Sequence, residues 1–184
     1  MVRKEIDGQV LAGDAFVSSL KMNLRAEWVP DIYEHQVASF DLAMTHKAMI
    51  DRLRRRDETM WQFYEAYIKT AVADASDDDI LLEGNLWPDF LELFSLPHKA
   101  VFLVDTSSNQ AERLIAIRDS KSDNNWMERH TNERIAEWAL FNVARSERYI
   151  ALSEQSNYVF FDIAEGGIET AQREAFEYLL PKAV

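Results

Sequence analysis

The chain has 184 residues, of which 47% are hydrophobic, and 32 acidic residues against 20 basic ones give a net charge of −12. This length fits one domain with a hydrophobic core better than two. A negative field repels the phosphate backbone of nucleic acids, so we expect no nucleic-acid partner. The absence of cysteine excludes disulfides, thiolate nucleophiles and cysteine-bound metals, and it fits a cytoplasmic protein.

The sequence also gives no sign of a membrane partner. Residues 1–8 lack the apolar core of a signal peptide. No apolar run approaches the roughly 18 residues that a membrane-spanning helix needs. We therefore expect a soluble protein.

The first part of the chain is mostly helical in pattern. Residues 9–14 predict either a short buried strand that ends at a turn or the start of a helix. Hydrophobic residues spaced for one helix face predict a helix over 31–56 and a second one over 58–75. The basic run 52–56 is typical of a solvated C-terminal helix end, where the helix dipole favours cations.

The second part alternates apolar runs with helical patterns. Strands are predicted at 80–83, 100–104 and 158–162, and helices at 88–94, 107–118, 131–153 and 168–180. Ser107 and Gln110 have the spacing of a capping box, which predicts a helix start at this point. The connection 119–130 is polar.

This alternation predicts an α/β fold, a three-layer, mostly parallel sheet flanked by helices, because continuous apolar runs such as 101–104 must be buried from both sides. In such sheets ligands bind outside the carboxyl ends of the strands. Glu83, Asp105 and Asp162 each end a predicted strand. We therefore expect these carboxylates to line one crevice.

The order of these segments resembles that of the P-loop small-molecule kinases, the adenylate-kinase-like group of ATP-dependent phosphotransferases. The resemblance covers about residues 60–184. It is carried by ILLEG at 80–84, FLVD at 102–105, ERLIAIR at 112–118, Asn125 and Trp126, and VFFD at 159–162. It implies a P-loop NTPase-like single domain over 1–184, with a helical acceptor-side insert at about 15–75 and a lid-like segment at about 119–131.

The resemblance also implies roles for individual residues. Glu83 stands where the family has an acid that serves Mg²⁺ or the phosphoryl acceptor. Arg118, Arg129 and Arg134 stand where arginines of such kinases reach the transferring phosphates. The alternatives are that Glu83 caps the following helix and that each arginine pairs with a neighbouring acid on a solvated helix face.

Two further residues belong to the implied acceptor site. Asp14, just after the first predicted strand, would position the acceptor, and Asn85, just after the strand that ends at Glu83, would contact the substrate. Mg²⁺ and ATP are the cofactors that the resemblance implies. The implied partners are thus a nucleotide and a small-molecule acceptor.

The chain departs from this family at the phosphate-binding loop, because Gly-x-x-x-x-Gly-Lys-Ser/Thr does not occur in the sequence. If residues 10–14 correspond to the family's second strand, the first strand and its loop are absent from the chain. The neighbouring strands then need a rearranged core, a partner strand or dimerisation. If residues 10–13 are the first strand, the loop is degenerate and the protein is a non-catalytic relative.

Three hypotheses of function follow. The first is an ATP-dependent kinase of a nucleotide, nucleoside or other small metabolite, or a truncated or degenerate remnant of one. The second is a non-catalytic interaction protein that keeps the scaffold, as a possible homodimer. The third is a purely structural helical domain in which the predicted strands are buried helix segments.

Overall fold

A computed structural model describes residues 8–25, 27–28, 30, 44–74, 79–84, 86–120 and 126–180. The chain divides into two compact units. The first unit consists of Met1–Ser39 and Asp51–Leu96, and the second consists of Phe40–Ile50 and Pro97–Val184. Each unit contains, within the described ranges, one pair of parallel strands. The single domain expected from the sequence stays a prediction.

The elements of the first unit, in chain order, are β1 (Gly8–Ala12), α1 (Gly13–Asn23), residues 51–74 of α2 (His46–Asp74), β2 (Asp79–Glu83) and α3 (Pro88–Glu92). β1 pairs in parallel with β2, and Ala12 lies opposite Glu83. Both interpretations of residues 9–14 are therefore right in part, because the strand ends at Ala12 and a helix starts at Gly13.

α2 is one continuous helix of 29 residues, so the predicted break between 56 and 58 is wrong. Asp57, at the expected break, is 7% exposed and its carboxylate accepts hydrogen bonds from neighbouring side chains. These hydrogen bonds satisfy the Asp57 carboxylate. Without them the carboxylate would compete for backbone N–H groups and favour a helix end at this point. The predicted helical residues 31–43 lie outside the described ranges.

The core of the first unit forms on one face of α2. Its buried residues follow a helical spacing and are Leu53, Asp57, Met60, Trp61, Tyr64 and Ile68. The segment around α3 adds Trp87, Phe90 and Leu91, which are also buried. The Trp61 ring lies 6.2 Å from the Phe90 ring, between centroids. Pro88 begins α3, at the position where a missing N–H costs nothing.

The later elements, all within the second unit, are β3 (Val101–Val104), α4 (Gln110–Asp119), a 3₁₀ turn (Trp126–Arg129), α5 (Asn132–Gln155), β4 (Val159–Asp162), α6 (Ile163–Gly166) and α7 (Ile168–Leu179). The predicted strands and helices of this region are confirmed to within a few residues. β3 pairs in parallel with β4, and Val104 lies opposite Asp162.

The strand pair of the second unit is packed by helices. α5 and α7 both contact β3 and β4, and α4 packs on α5. Phe102 and Val104 are buried, and the Phe102 ring meets the Tyr149 ring of α5 edge to face at 5.8 Å. Leu103, which alternates with them along the strand, is 45% exposed.

The chain is thus mixed α/β and mostly helical, with parallel strands as predicted. The hypothesis of a purely helical domain is wrong. The residues that it assigns to buried helix segments form paired β-strands in the structure. Within the described ranges the strands form two two-stranded sheets. None of the helices in those ranges combines the length and the apolarity of a membrane span.

Candidate functional site

Polar side chains of the second unit gather where β3 and β4 end. β3 is followed by Asp105, Thr106 and Ser107, and β4 ends at Asp162. Because the pair is parallel and in register, both carboxyl ends lie at the same edge. We call Asp105, Thr106, Ser107, Arg113 and Asp162 the strand-end cluster.

Asp162 ties the two strand ends together. Its Oδ1 accepts hydrogen bonds from the backbone N–H of Thr106 at 3.1 Å and of Ala164 at 2.9 Å. Its Oδ2 accepts from the Thr106 hydroxyl. Asp162 therefore caps α6 and fixes the chain that leaves β3. Asp105 and Asp162 thus lie at one sheet edge, whereas Glu83 ends a strand of the other unit, so the crevice expected to hold all three carboxylates stays a prediction.

Asp105 is the centre of the cluster. Its Oδ1 accepts from the backbone N–H of Ser107 at 3.1 Å and from the Ser107 hydroxyl, and its Oδ2 accepts from Arg113 Nη2. The same Arg113 nitrogen donates to Ser107 Oγ at 2.8 Å. The backbone N–H of Asp105 donates to Ser146 Oγ of α5 at 3.0 Å. The strand end is thus tied to both α4 and α5.

These contacts set the charge of Asp105. Burial by itself would raise the pKa of the carboxyl group, but hydrogen bonds from Ser107 and Gln110 and the charge of Arg113 together lower that pKa below its usual value. Asp105 is therefore a carboxylate at neutral pH, paired with a guanidinium. Its side chain is 18% exposed and that of Arg113 is 36% exposed.

The predicted capping box at Ser107 and Gln110 is wrong, although the helix does start there. Asn109 is the N-cap residue of α4 and makes no side-chain cap hydrogen bond. Gln110 Nε2 donates instead to the carbonyl of Asp105 at 3.4 Å. Ser107 bonds to the Asp105 carboxylate, a stronger acceptor than a neutral partner offers.

The arginines predicted to bind phosphate lie around the start of α5. Arg118, in the last turn of α4, donates from Nη1 to the carbonyl of His130 at 2.8 Å. Arg129 directly precedes His130, and Arg134 lies in the first turn of α5. We call Arg118, Arg129 and Arg134 the arginine cluster. Their role on phosphates stays a prediction.

The individual arginines differ in how they are held. The Arg118 side chain is only 15% exposed, and its Nε donates to Asp119 Oδ1 at 2.9 Å. The alternative that these arginines pair with neighbouring acids thus holds for Arg118. Arg129 is exposed and Arg134 is half-buried.

The N-terminus of α5 completes this region. Thr131 is its N-cap, and the Thr131 Oγ1 accepts from the backbone N–H of Arg134 at 3.3 Å. Hydrogen bonds from its own backbone N–H and from Thr131 lower the pKa of the exposed Glu133. A carboxylate is thus stabilised at this helix end, where the helix dipole favours negative charge.

Glu83 and Asp14 lie at the carboxyl edge of the strand pair in the first unit. Their neighbours Gly13 and Gly84 approach closely, because a Cβ on Gly13 would lie 3.1 Å from the Gly84 Cα. Glu83 is exposed, and the backbone of Asp14 is in the first turn of α1. The structure does not describe the side chain of Asp14, and Asn85 lies outside the described ranges.

The predicted residues therefore fall into groups that belong to different units. Glu83 and Asp14 belong to the first, and the arginine cluster belongs to the second. Their convergence on one ligand stays a prediction. In the described ranges no group of three or more acidic or histidine side chains is placed to hold a metal ion.

A polar network in the first unit was missed by sequence reasoning. Arg54 pairs with Asp89 through two hydrogen bonds and stacks over the rings of Trp87 and Phe90, at 5.2 and 5.0 Å. The prediction that residues 52–56 form a solvated helix end is therefore wrong, because α2 continues to Asp74 and the side chains of Arg54 and Arg56 are only 29% and 13% exposed. The sequence does contain a signal for this network, namely a basic helical segment at 52–56 and a segment at 87–90 that is both aromatic and acidic.

No family model, no curated protein and no solved structure matches this chain.

Proposed function

We propose that this protein is an ATP-dependent kinase of a nucleotide, nucleoside or other small metabolite, or a truncated or degenerate remnant of one, with the three-layer architecture of the P-loop small-molecule kinases. The observation that supports it best is the arginine cluster around the first turn of α5. Phosphoryl transfer is catalysed mainly by positive donors placed around the charged phosphate oxygens.

The geometry of the arginine cluster suits a polyphosphate. The Arg118 guanidinium is held in place by the His130 carbonyl, so it loses little freedom on binding. Arg129 is exposed and can reach a ligand in solvent. The N-terminus of α5 lies at the same place, and its Glu133 and Arg134 N–H groups bond to the Glu133 carboxylate and to Thr131. The cluster thus brings three guanidinium groups to one helix end, beside the carboxylates of Asp119 and Glu133.

Magnesium would be held at the carboxyl edge of the first unit in this proposal. Mg²⁺ is usually bound by one or two carboxylates together with substrate phosphates and water. The exposed carboxylate of Glu83 fits that donor set, and Asp14 lies at the same edge to position the acceptor. The ion, when bound, neutralises negative charge on the transferring phosphate. We place the protein in the cytoplasm, in keeping with its lack of cysteine.

The first experiment measures binding, since the sequence lacks the lysine-bearing loop that catalysis in such kinases relies on. Thermal unfolding is followed with Mg·ATP and with inorganic tripolyphosphate. A ligand at about 100 times its dissociation constant stabilises the folded protein by roughly 2.7 kcal/mol. We expect both ligands to raise Tm and expect Arg129→Met to reduce both shifts.

Arg173→Met is the matched control, because Arg173 is an exposed arginine on α7. It should leave both shifts unchanged. Equal loss in the two variants would mean that only overall charge matters, and the proposal would be wrong. Phosphate transfer from radiolabelled ATP to a panel of nucleosides and nucleotides is then measured. A kinase transfers the phosphate, and a truncated or degenerate remnant does not.

A non-catalytic interaction protein is the second candidate. Large apolar side chains of the second unit are exposed, namely Leu103, Ile117, Leu140 and Ile168. Within the described ranges β3 and β4 pair only with each other, and unpaired strand edges can accept another chain. Sedimentation equilibrium tests this candidate, which predicts a homodimer that ATP does not alter.

A further inference from the structure

Two carboxylates lie beside the arginine cluster. Arg118 donates from Nε to Asp119 Oδ1 at 2.9 Å, and these two residues end α4. Glu133 lies in the first turn of α5, where hydrogen bonds from its own backbone N–H and from Thr131 lower the pKa of its carboxyl group. The protein therefore supplies negative charge of its own at the place where the cluster would bind a phosphate.

The contact between Arg118 and Asp119 is not one that helix geometry favours. Side chains one position apart on a helix point in different directions, and ion pairs usually join positions three or four apart. Asp119 is also the last residue of α4, where the helix dipole disfavours a negative side chain. The attraction between the guanidinium and the carboxylate therefore accounts for the contact.

The two partners differ in how firmly they are held. The Arg118 side chain is 15% exposed, and its Nη1 donates to the carbonyl of His130 at 2.8 Å. The Asp119 side chain is 62% exposed. An ion pair with such an exposed partner is weak, because water and salt screen it. Asp119 can therefore turn into solvent while Arg118 keeps its position between α4 and α5.

We infer that Asp119 is an internal competitor for the phosphate site of the arginine cluster, so that a polyphosphate binds by displacing its carboxylate from Arg118. The inference rests on the proposed function, because it concerns the regulation of the same site. A phosphate oxygen accepts from Arg118 Nε in place of Asp119 Oδ1, and the bond from Nη1 to His130 is kept. The carboxylate turns away from the negative ligand, which repels it.

This competition sets a threshold for the ligand. Exchanging the Asp119 carboxylate for another single carboxylate gains little, since the attraction to Arg118 is nearly the same in both states. A tripolyphosphate carries several negative charges and can also engage Arg129, an exposed residue that directly precedes His130. We therefore expect tripolyphosphate to bind and acetate neither to bind nor to compete with it.

Titration calorimetry of the intact chain with inorganic tripolyphosphate tests the competition. Asp119→Asn keeps the size of the side chain and removes its charge. We expect this variant to bind tripolyphosphate about fivefold more tightly than the wild type, which is the upper end of what an exposed ion pair contributes.

Glu112→Gln is the matched control, because it removes the same charge from an exposed position in the first turn of α4. At about 0.15 M salt it should leave the affinity for tripolyphosphate nearly unchanged, since charges farther apart than about 8 Å are largely screened. Thermal unfolding without ligand checks that both variants are folded.

The nuclear magnetic resonance signal of the Arg118 Nε–H group reports the exchange of partners directly. The signal is assigned by its loss in Arg118→Met. In the wild type it should shift as tripolyphosphate is added, over the same concentrations at which heat is released or absorbed. Binding without any change of this signal overturns the inference.

The calorimetric outcomes separate the inference from the proposed function. Equal affinity of the wild type, Asp119→Asn and Glu112→Gln overturns the inference and leaves the proposed phosphate site standing. An equal gain in both variants shows an effect of net charge and also overturns the inference. If neither the wild type nor Asp119→Asn binds tripolyphosphate, the proposed phosphate site is wrong and the inference fails with it.

Discussion

The indole N–H of Trp87 donates a hydrogen bond to the Asp57 carboxylate at 2.8 Å, and both side chains are buried, with Trp87 0% exposed. Arg56 Nε donates to the other oxygen of the same carboxylate at 2.7 Å. A charge inside the first unit is therefore held by N–H donors that include those of Trp87 and Arg56. These hydrogen bonds offset part of the cost of burying the carboxylate.

Trp87→Phe should destabilise the protein by about 2–4 kcal/mol, because it leaves a carboxylate oxygen of Asp57 without its donor and reduces the buried ring. Urea unfolding followed by circular dichroism measures the change. Trp28→Phe is the control, since Trp28 is 63% exposed, and it should change stability by less than about 0.5 kcal/mol. Equal effects of the two variants would contradict the proposed importance of the buried pair.

Gly13→Ala should destabilise the first unit by about 1–3 kcal/mol through overpacking. The added Cβ would lie 2.5 Å from Tyr64 Oη and 2.8 Å from the carbonyl oxygen of Glu83. The tyrosine hydroxyl can move, but the β2 backbone is held by its pairing with β1. The midpoint of urea unfolding reports the loss.

Gly84→Ala is the matched control for this substitution, because its nearest contact would be 3.5 Å, an ordinary van der Waals distance. It should be tolerated within about 0.5 kcal/mol. If both alanine variants unfold at the same urea concentration as the wild type, the two strand ends do not approach as closely as described.

Arg118→Met should lower stability by about 1–2 kcal/mol even without ligand. The side chain is mostly buried, and its bond to the His130 carbonyl connects the end of α4 to the start of α5. Arg129→Met should change stability by less than about 0.5 kcal/mol, because Arg129 is exposed. Thermal unfolding of both variants without ATP checks this. A reversed order would mean that Arg118 does not hold the two helices together.

The order of elements in the second unit could be predicted because its apolar runs and helical patterns are long and clearly separated. Asp105 and Asp162 could also be placed at one edge, since parallel pairing puts strand ends together. The roles of Ser107 and Gln110 could not be predicted from the sequence. A capping box and a hydrogen-bond network centred on an aspartate use the same residue types at the same spacing.

The first unit was harder to predict. An acid can favour a helix end, but the carboxylate of Asp57 in the middle of α2 accepts a hydrogen bond from the distant Trp87, and the helix continues. The two residues are 30 positions apart, and no local pattern reports such a contact. The same holds for Arg54 and Asp89, because the sequence placed Arg54 in a solvated helix end and Asp89 at the start of a helix, with no contact between them.

Thr106→Val should destabilise the second unit by about 1–2 kcal/mol. It preserves the shape of the side chain and removes the hydroxyl that donates to Asp162 Oδ2. The backbone N–H of Thr106 still donates to Oδ1, so the turn should keep its position. Chemical denaturation of the variant measures the loss of stability. Ser108→Ala, which removes an exposed hydroxyl in the same turn, is the control. A larger loss in Ser108→Ala would contradict the role of Asp162 as the tie between the strands.

Asp105→Asn should make stability less dependent on pH in the acid range. The pKa of Asp105 is lowered in the folded protein, so its carboxylate stabilises the fold above its unfolded pKa of about 3.9. That stabilisation is lost as the pH falls through the lower, folded pKa. The deficit of Asp105→Asn relative to wild type should therefore be largest near neutral pH, about 1–3 kcal/mol, and should shrink below about pH 4.

Urea unfolding at a series of pH values between neutrality and pH 3 measures this deficit. Glu147→Gln, which removes an exposed carboxylate from α5, controls for the loss of one negative charge from an acidic chain and should lie within about 0.5 kcal/mol of wild type at pH 7. Arg113→Met should reproduce part of the Asp105→Asn deficit, because it removes the donor to Oδ2 but leaves the bonds from Ser107. A deficit that stays constant down to pH 3 would show that packing, rather than the charge on Asp105, holds the end of β3.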